Sequence, residues 1–528
     1  MSLNFIVIDR GQHKPTPVFN TAYLRIDYWN DFSFVTMFYL TVFDQTGAEH
    51  DIGNIKIAFK GQTEQISTHS TLERNFSSLT DEYFSLGVDL DFYENLGRLD
   101  ATIKDNILSS LQDIVFLPGR LPELENERVL NISLLRGVSL SDIHGQFARV
   151  LKGLVALSDF HFNFIRSGVN GLCDLRITFT VKVDAIPSTN IHALIGRNGC
   201  GKTTILNGMI EAITDPTNNS LYFTEKKGLI TEPKIPNGYF RSLVSVSFSA
   251  FDPFTPPKEQ PDPAKGTRYF YIGLKNKENN QQLNTLDDLR LEFVTALIGC
   301  LSAEKKKDLW INSINKLSSD QNFSNMGLSV LCDKYLELKQ IHVNLQVDSN
   351  NFRDLFYKNI YRYLSRMSSG HAIVLFTITR LIDTVGEKSL VLLDEPEGHL
   401  HPPLLSAFLR TLSDLLYTTN GVAIIATHSP VVLQEVPKSN VWKVIRSREA
   451  ISVERPDIET FGENLGVLTR EVFSLEIINS GYHFLLAKSV DTGMSYEDIL
   501  TKYNNQIGLE GRTVLKAMVL NREANKNK

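Results

Sequence analysis

The sequence predicts an α/β fold: a largely parallel sheet at the centre, a mixed α+β domain before it and a helical segment after it. Three observations carry this. Short all-apolar runs, Ile191–Ile195, Leu390–Leu393 and Val422–Ala426, alternate with helix-patterned stretches, as strands buried on both faces of a parallel sheet do. The first of these runs leads straight into a glycine-rich turn that opens a helix. The region before about residue 160 has a different texture, with β-branched and aromatic segments punctuated by turns. At 528 residues the chain has room for several cores. We place an N-terminal α+β domain at 1–165, the α/β core at 166–474 with a helical lid at about 285–362, and a C-terminal helical segment at 475–528.

Composition narrows the class. With 42% hydrophobic and 22% charged residues the chain resembles ordinary soluble globular proteins rather than disordered ones. A net charge of -6 argues against coating nucleic acid with the whole surface, while leaving room for a local basic groove. The four cysteines, Cys173, Cys200, Cys300 and Cys332, are too scattered for a disulfide framework or a paired zinc motif, which fits a reducing cytoplasm. The N-terminus lacks a basic start and a long apolar stretch, so no secretory signal is expected. No apolar run is long enough to span a bilayer, so no membrane partner is expected.

The elements follow in order. Tyr23–Asp27, Phe34–Phe43 and Ile55–Phe59 read as strands, with a turn at Asp44–Gly47 after the second. From Asp100 to Phe116 the apolar positions Ile103, Ile107, Leu108, Leu111 and Ile114 fall on one helical face, and a second helix is expected around Leu140–Leu157. No catalytic constellation stands out here, and an accessory or docking role fits. Leu175–Val183 alternates as a half-buried edge strand, and Leu243–Phe248 and Tyr269–Leu274 are further strands around a proline-rich loop. From Thr285 the chain turns helical. Thr285 with Asp288 makes a capping box, with Leu286, Leu289, Phe293 and Leu297 as its stripe, and Lys305–Lys307 reads as a solvated face, with nucleic-acid contact as the alternative. A helix at Pro403–Leu416 separates the two later apolar strands. A second capping box, Ser495 with Asp498, opens a helix near the end, and the tail from Arg522 to Lys528 is expected to fray.

Two segments carry phosphate chemistry. Gly196-Arg-Asn-Gly-Cys-Gly201-Lys202-Thr203-Thr204 matches the P-loop pattern. Gly196, Asn198, Gly199 and Gly201 would cradle phosphate oxygens at the helix N-terminus, with Thr203 and Thr204 closing the turn. Lys202 would reach the β- and γ-phosphates, and the Thr203 hydroxyl would ligate Mg²⁺. Cys200 reads as a small filler, although a thiol reagent there would block nucleotide entry. Downstream, the strand Ser389–Leu393 ends in Asp394-Glu395-Pro396. Ligands in open α/β sheets sit at the carboxyl ends of strands, which places this pair beside the P-loop. Asp394 would hold Mg²⁺, and Glu395 would orient and polarise the attacking water. A helix cap ahead of Pro396 is the bland alternative.

Between these motifs, Met367-Ser368-Ser369-Gly370-His371 starts a very apolar helix, a second ready phosphate site built from Ser368, Ser369 and Gly370. The last apolar strand leads into Thr427-His428-Ser429-Pro430, and His428 would touch the γ-phosphate. A purely structural His428 is the alternative. The order of P-loop, Ser-Ser-Gly, acidic pair and histidine resembles the ATP-binding-cassette (ABC) class of P-loop ATPases. The text Asp394-Glu-Pro-Glu-Gly-His-Leu-His-Pro402 is similar to the subgroup holding RecF-like, SMC-like and OLD-family proteins. The resemblance implies an ABC-type ATPase core and a head-to-tail dimer, with Ser368 and Gly370 of one protomer closing on ATP at the other's P-loop. The chain departs from the pattern at His371, where glutamine is usual, and at Met367, where leucine is. No Q-loop glutamine follows Leu243–Phe248, where Ser249–Asp252 stands instead. His399 and His401 suggest a metal pair, and as part of the loop after the acidic strand they are expected to shape the dimer contact.

Outside this core, Phe84–Asp91, Asn464–Phe473, Asn479–His483 and Ser495–Gly511 resemble the PtuA-like ATPases of Septu-type and retron-linked antiphage systems. That resemblance implies a cytoplasmic ATPase, binding ATP and Mg²⁺ and hydrolysing slowly. It would form homodimers or higher homo-oligomers and regulate a PtuB-like HNH nuclease, in some systems with a reverse transcriptase and retron nucleic acid. The main alternatives are an OLD-like or DNA-repair-type ATPase acting directly on nucleic acid, and a scaffold locked by ATP without hydrolysis. The segment after His428 has no toprim-like acidic pattern, and no heptad arms separate P-loop from signature. A transporter ATPase fits the large N-terminal region poorly.

Overall fold

The computed structural model describes residues 3–14, 18–29, 34–138, 140, 143–154, 156–168, 174–183, 185–226, 232–249, 254–276, 282–342, 346–347, 349–447, 450–479 and 481–526. Cys173, residues 250–252 of the Ser249–Asp252 segment and residue 480 of the Asn479–His483 segment lie outside them. The chain divides into two compact units at Ser158/Asp159. The expected boundary at 165 would cut the strand Phe160–Arg166, which pairs along its full length with Leu175–Val181 and so belongs to the second unit.

The N-terminal unit is a six-stranded sheet. Its strands are β1 (Asn4–Ile8), β2 (Thr21–Ile26), β3 (Met37–Phe43), β4 (Glu49–Phe59), β5 (Asn75–Phe76) and β6 (Tyr83–Gly87), in the order β5-β1-β2-β3-β4-β6. Only β1 and β2 run parallel. The helices α1 (Leu90–Gly97) and α2 (Ala101–Ser110) contribute Phe92, Tyr93, Leu96, Ile107 and Leu108 to the same core as Phe5, Leu24, Leu40 and Ile57. The helix expected over 100–116 stops at Ser110, because Gln112 turns left-handed at φ 55°. Asp113 then accepts the amide hydrogens of Val115 and Phe116. The helix expected over Leu140–Leu157 is shorter, a π-type turn Ile143–Phe147 running into Ala148–Leu151.

The second unit is built on a seven-stranded sheet. Its strands β9 (Ile191–Ile195), β11 (Ser242–Ser247), β12 (Arg268–Gly273), β13 (Ser389–Asp394), β14 (Val422–Thr427), β15 (Val441–Ser447) and β16 (Ala450–Glu454) lie in the order β12-β11-β13-β14-β9-β15-β16. All neighbours are parallel except β15 and β16. A smaller antiparallel sheet comprises β7 (Phe160–Arg166), β8 (Leu175–Val181) and β10 (Leu221–Glu225), with β8 at one edge.

The apolar runs read from the sequence are buried on both faces. Val391, Leu393, Ala423 and Ile425 join a core with the lid helices, while Leu390, Leu392, Ile424 and Ala426 join one with the smaller sheet. The helix α3 (Lys202–Thr214) follows β9 and packs in that second core through Ile205, Leu206 and Met209. The lid comprises α4 (Leu286–Ser302), α5 (Glu304–Leu317), α6 (Val330–Ile341) and α7 (Asn350–Leu364). Thr285 and Asp288 form the expected capping box at its start.

Then come α8 (Ser369–Thr384), whose N-cap is Ser368, and α9 (Pro402–Thr419) between β13 and β14. The chain closes with α10 (Leu465–Asn479), α11 (Gly481–Asp491), α12 (Tyr496–Lys502) and α13 (Leu509–Lys526). The last three share a small core of Leu486, Val490, Ile499, Leu500, Leu515 and Val519, and the Ser495/Asp498 capping box opens α12. The tail does not fray from Arg522: α13 continues to Lys526, and Arg522 is anchored by the carbonyls of Val490 and Met494. Among the described residues no helix is long and apolar enough to cross a membrane.

Candidate functional site

Three parallel strands end at one level. Asp394 on β13 pairs with Ala426 on β14, and the next residue, Thr427, pairs with Ile195 on β9. The P-loop, the acidic pair and His428 therefore emerge side by side at the carboxyl edge, where open α/β sheets bind ligands. The β14 strand separates the P-loop strand from the acidic strand, and this puts His428 between the two.

The P-loop owes its shape to glycine at three points. A Cβ on Gly196 would stand 2.4 Å from the Val444 carbonyl oxygen of β15. Gly199 and Gly201 have φ of 77° and 101°, the left-handed region that favours glycine. Gly201 is the N-cap of α3, so the first amides of that helix face the loop. The Lys202 side chain is only 4% exposed and donates to the carbonyls of Gly196 (3.0 Å) and Arg197 (3.1 Å), curling over the loop. Asn198 is exposed on the loop and Thr204 in the first turn of α3. Cys200 is buried, and burial pushes its thiol pKa up, as suits a filler rather than a nucleophile.

The acidic pair closes on this loop. Thr203 Oγ1 donates to Asp394 Oδ2 at 2.9 Å, so a hydroxyl and a carboxylate converge as hard oxygen donors of the kind Mg²⁺ takes. Glu395 Oε1 lies 3.9 Å from Lys202 Nζ and 3.6 Å from His428 Nδ1. Its backbone is left-handed at φ 46° and its amide donates to the Ala426 carbonyl at 2.9 Å. A left-handed glutamate costs about 1–2 kcal/mol, and such conformations cluster at active sites.

One residue of this site was missed. Glu397 sits in the 3₁₀ turn Pro396–His399, with its side chain only 6% exposed. Its Oε1 accepts from the Thr427 hydroxyl (2.6 Å) and the His428 amide (2.7 Å), and lies 3.2 Å from His428 Nδ1. The available signal was a second acid two residues after the pair, in a turn that folds back on the neighbouring strand end.

The remaining expected residues lie in a different cluster. Ser368 and Ser369 are exposed at the start of α8, and the described contacts do not join them to their own chain's P-loop. A Cβ on Gly370 would stand 2.5 Å from the His399 carbonyl oxygen, so this glycine lets α8 approach the loop after β13. His371 bonds Ser368 through Nδ1 and Asp320 through Nε2. Of the histidine pair, His401 caps α9 at the Leu404 amide and faces Asp320, while His399 contributes its carbonyl behind Gly370.

A family model described as "AAA domain, putative AbiEii toxin, Type IV TA system" matches residues 333–434, a span that includes Ser368–Gly370, Asp394, Glu395 and His428. Protein ea59 of Escherichia phage lambda is 67% identical over 524 residues, covering 99% of each chain. The chain belongs to the ea59 family. Among solved structures, two of an ATP-binding cassette of an ABC transporter cover 61% of this chain. One, in its ADP conformation, has 14% identity, a TM-score of 0.30 and 100% of its own chain covered. The other, from a twinned crystal, has 15%, 0.31 and 99%. Strand order, P-loop and inserted lid, rather than these likenesses, define the fold of this ea59-family member as an ABC-type P-loop ATPase core.

Proposed function

We propose that this ea59-family chain binds Mg²⁺–ATP at its P-loop, hydrolyses it, and closes head to tail on a second copy when ATP is bound. The observation that carries this is the junction of the two motifs: Thr203 on Asp394 at 2.9 Å and Lys202 beside Glu395 at 3.9 Å. Residues 191 apart in the chain are brought together in the arrangement phosphoryl transfer uses. Thr203 and Asp394 would hold Mg²⁺, which would supply positive charge against the developing phosphate charge. Lys202 leaves the Gly196 and Arg197 carbonyls to meet the β- and γ-phosphates, alongside the amides at the start of α3. Glu395 orients the water and takes its proton, and His428, fixed by Glu397, contacts the γ-phosphate. Ser368 and Gly370 meet the nucleotide of the second copy, with Ser368 exposed at the N-cap of α8 and Gly370 buried behind it against the loop after β13.

The wider role we infer is regulatory. The resemblance to PtuA-like ATPases supports control of a partner HNH nuclease in antiphage defence, joined in some systems by a reverse transcriptase and retron nucleic acid. The phage origin of the ea59 relative fits a protein that one phage carries against its competitors. Calorimetric titration with Mg²⁺–ATP tests the nucleotide site: wild type binds, and Lys202→Ala loses binding. Sedimentation with ATP and Mg²⁺ tests closure, with a dimer for wild type and a monomer for Ser368→Ala. Co-expression with the neighbouring reading frames tests the partner, and recovery of homo-oligomers alone contradicts the nuclease complex.

A further inference from the structure

A second group of chemistry-bearing side chains lies outside the P-loop site. Asp320 caps the short helix Gln321–Ser324 in the lid, His371 stands in the first turn of α8, and His401 caps α9. One donor atom from each lies within 4.8 Å of the others. His371 Nε2 is 3.2 Å from Asp320 Oδ1, and His401 Nε2 is 3.5 Å from Asp320 Oδ2. A tetrahedral zinc with bonds of about 2.0–2.1 Å has donor-to-donor edges of about 3.3–3.4 Å. The two contacts are close to that length but use different oxygens of Asp320, so a small rotation of the carboxylate and of the exposed His401 ring must bring one oxygen to both imidazoles, within the 4.8 Å that already spans one donor from each residue.

The donors are also prepared. The Asp320 and His371 side chains are each only 8% exposed, while His401 is 46% exposed and opens the site to solvent. Asp320 is held in place by the Phe323 amide, which donates to its Oδ1 at 2.9 Å. His371 Nδ1 lies 2.5 Å from Ser368 Oγ, the outer partner that metal-bound histidines need to fix their tautomer. One bond must yield. His401 Nδ1 accepts the Leu404 amide at 3.3 Å, and ligation through Nε2 requires a proton there instead.

We propose that Asp320, His371 and His401 form a divalent-metal site of the zinc type, with water in the fourth position. Two imidazoles and a carboxylate with one open place are the donor set zinc takes. The site would tie the lid, the start of α8 and the loop after β13 to one ion. It also acts on Ser368. Without metal, His371 gives its Nε2 hydrogen to Asp320, and its Nδ1 accepts the Ser368 hydroxyl. With metal on Nε2 the proton moves to Nδ1, which donates to Ser368 and frees the serine hydrogen for a phosphate oxygen. That last consequence, unlike the site itself, rests on the reading of Ser368 as a nucleotide contact.

The test uses the full chain without tags, stripped by chelator and free of nucleotide. Zinc chloride is titrated calorimetrically, and Co²⁺ is followed by its visible absorption. Wild type and Asp394→Asn, which removes only the Mg²⁺ position, should bind one equivalent, with strong tetrahedral Co²⁺ bands. His401→Ala, at an exposed position, should weaken binding by about 100-fold or more and abolish the bands. Asp320→Asn should do the same. Failure of wild type to bind zinc, or binding that both variants leave unchanged, overturns the proposal and leaves a hydrogen-bonded His–Asp–His network only. Because nucleotide is absent, either result is independent of the ATPase reading.

Discussion

Glu397 offers the sharpest perturbation of the site, because it touches His428 without belonging to the P-loop. In Glu397→Ala the His428 amide and the Thr427 hydroxyl lose the acceptor they reach at 2.7 and 2.6 Å. Thr427 is fully buried, and a buried donor left unpaired costs about 1–3 kcal/mol. Thr427 thus puts about 1–3 kcal/mol onto the end of β14, and the part-buried His428 amide adds to it, enough to let the strand end shift. A displacement of about 1 Å at a reacting centre costs on the order of 100-fold in rate. We therefore expect kcat for ATP hydrolysis to fall by about 100-fold, with KM little changed because the P-loop contacts remain. Glu397→Gln keeps a carbonyl acceptor for both donors and loses only its charge beside His428, so its loss should be about 10-fold. Steady-state turnover of the three proteins decides this. An alanine variant as active as wild type, or a glutamine variant as damaged as alanine, would refute the positioning role.

Two further expectations follow from single contacts. Gly196→Ala places a methyl 2.4 Å from the Val444 carbonyl, and overpacking of about 1–3 kcal/mol should weaken ATP binding about 5- to 150-fold by calorimetry. In the N-terminal unit, burial raises Asp113 from 3.8 to about 7 against the opposing bonds of Phe116, Tyr93 and Val115. A carboxyl whose folded pKa is raised stabilises the fold most below its unfolded pKa. That contribution drains away as pH climbs from about 4 to about 7, by about 4 kcal/mol in all. Hydrogen exchange of the 83–116 amides, corrected for intrinsic rate, should show this loss of protection in wild type and not in Asp113→Asn.

What could be read from the sequence was whatever local chemistry writes locally. The P-loop, the acidic strand end and both capping boxes each lie within a few residues, and they stand where expected. The apolar runs of β9, β13 and β14 announced burial on both faces. Partnerships set only by the tertiary fold were not legible. The smaller sheet interleaves β7 and β8 with β10, which lies beyond β9 and α3, so no contiguous pattern marks it. Asp320 and His371 are 51 residues apart, and nothing local to the loop carrying His401 marks the lid turn whose Asp320 it faces. The helix from Ala101 ends early because left-handed Gln112 and the Asp113 side chain stop a periodic stretch that apolar spacing alone would continue.

The central claim is that Glu395 activates water for ATP bound at the P-loop. Its most direct test is steady-state ATP turnover by Glu395→Gln beside wild type, with bound nucleotide quantified in the same samples. The account predicts that the variant retains ATP while kcat falls by about 100-fold or more, the range a general base supplies. Turnover equal to wild type would contradict it.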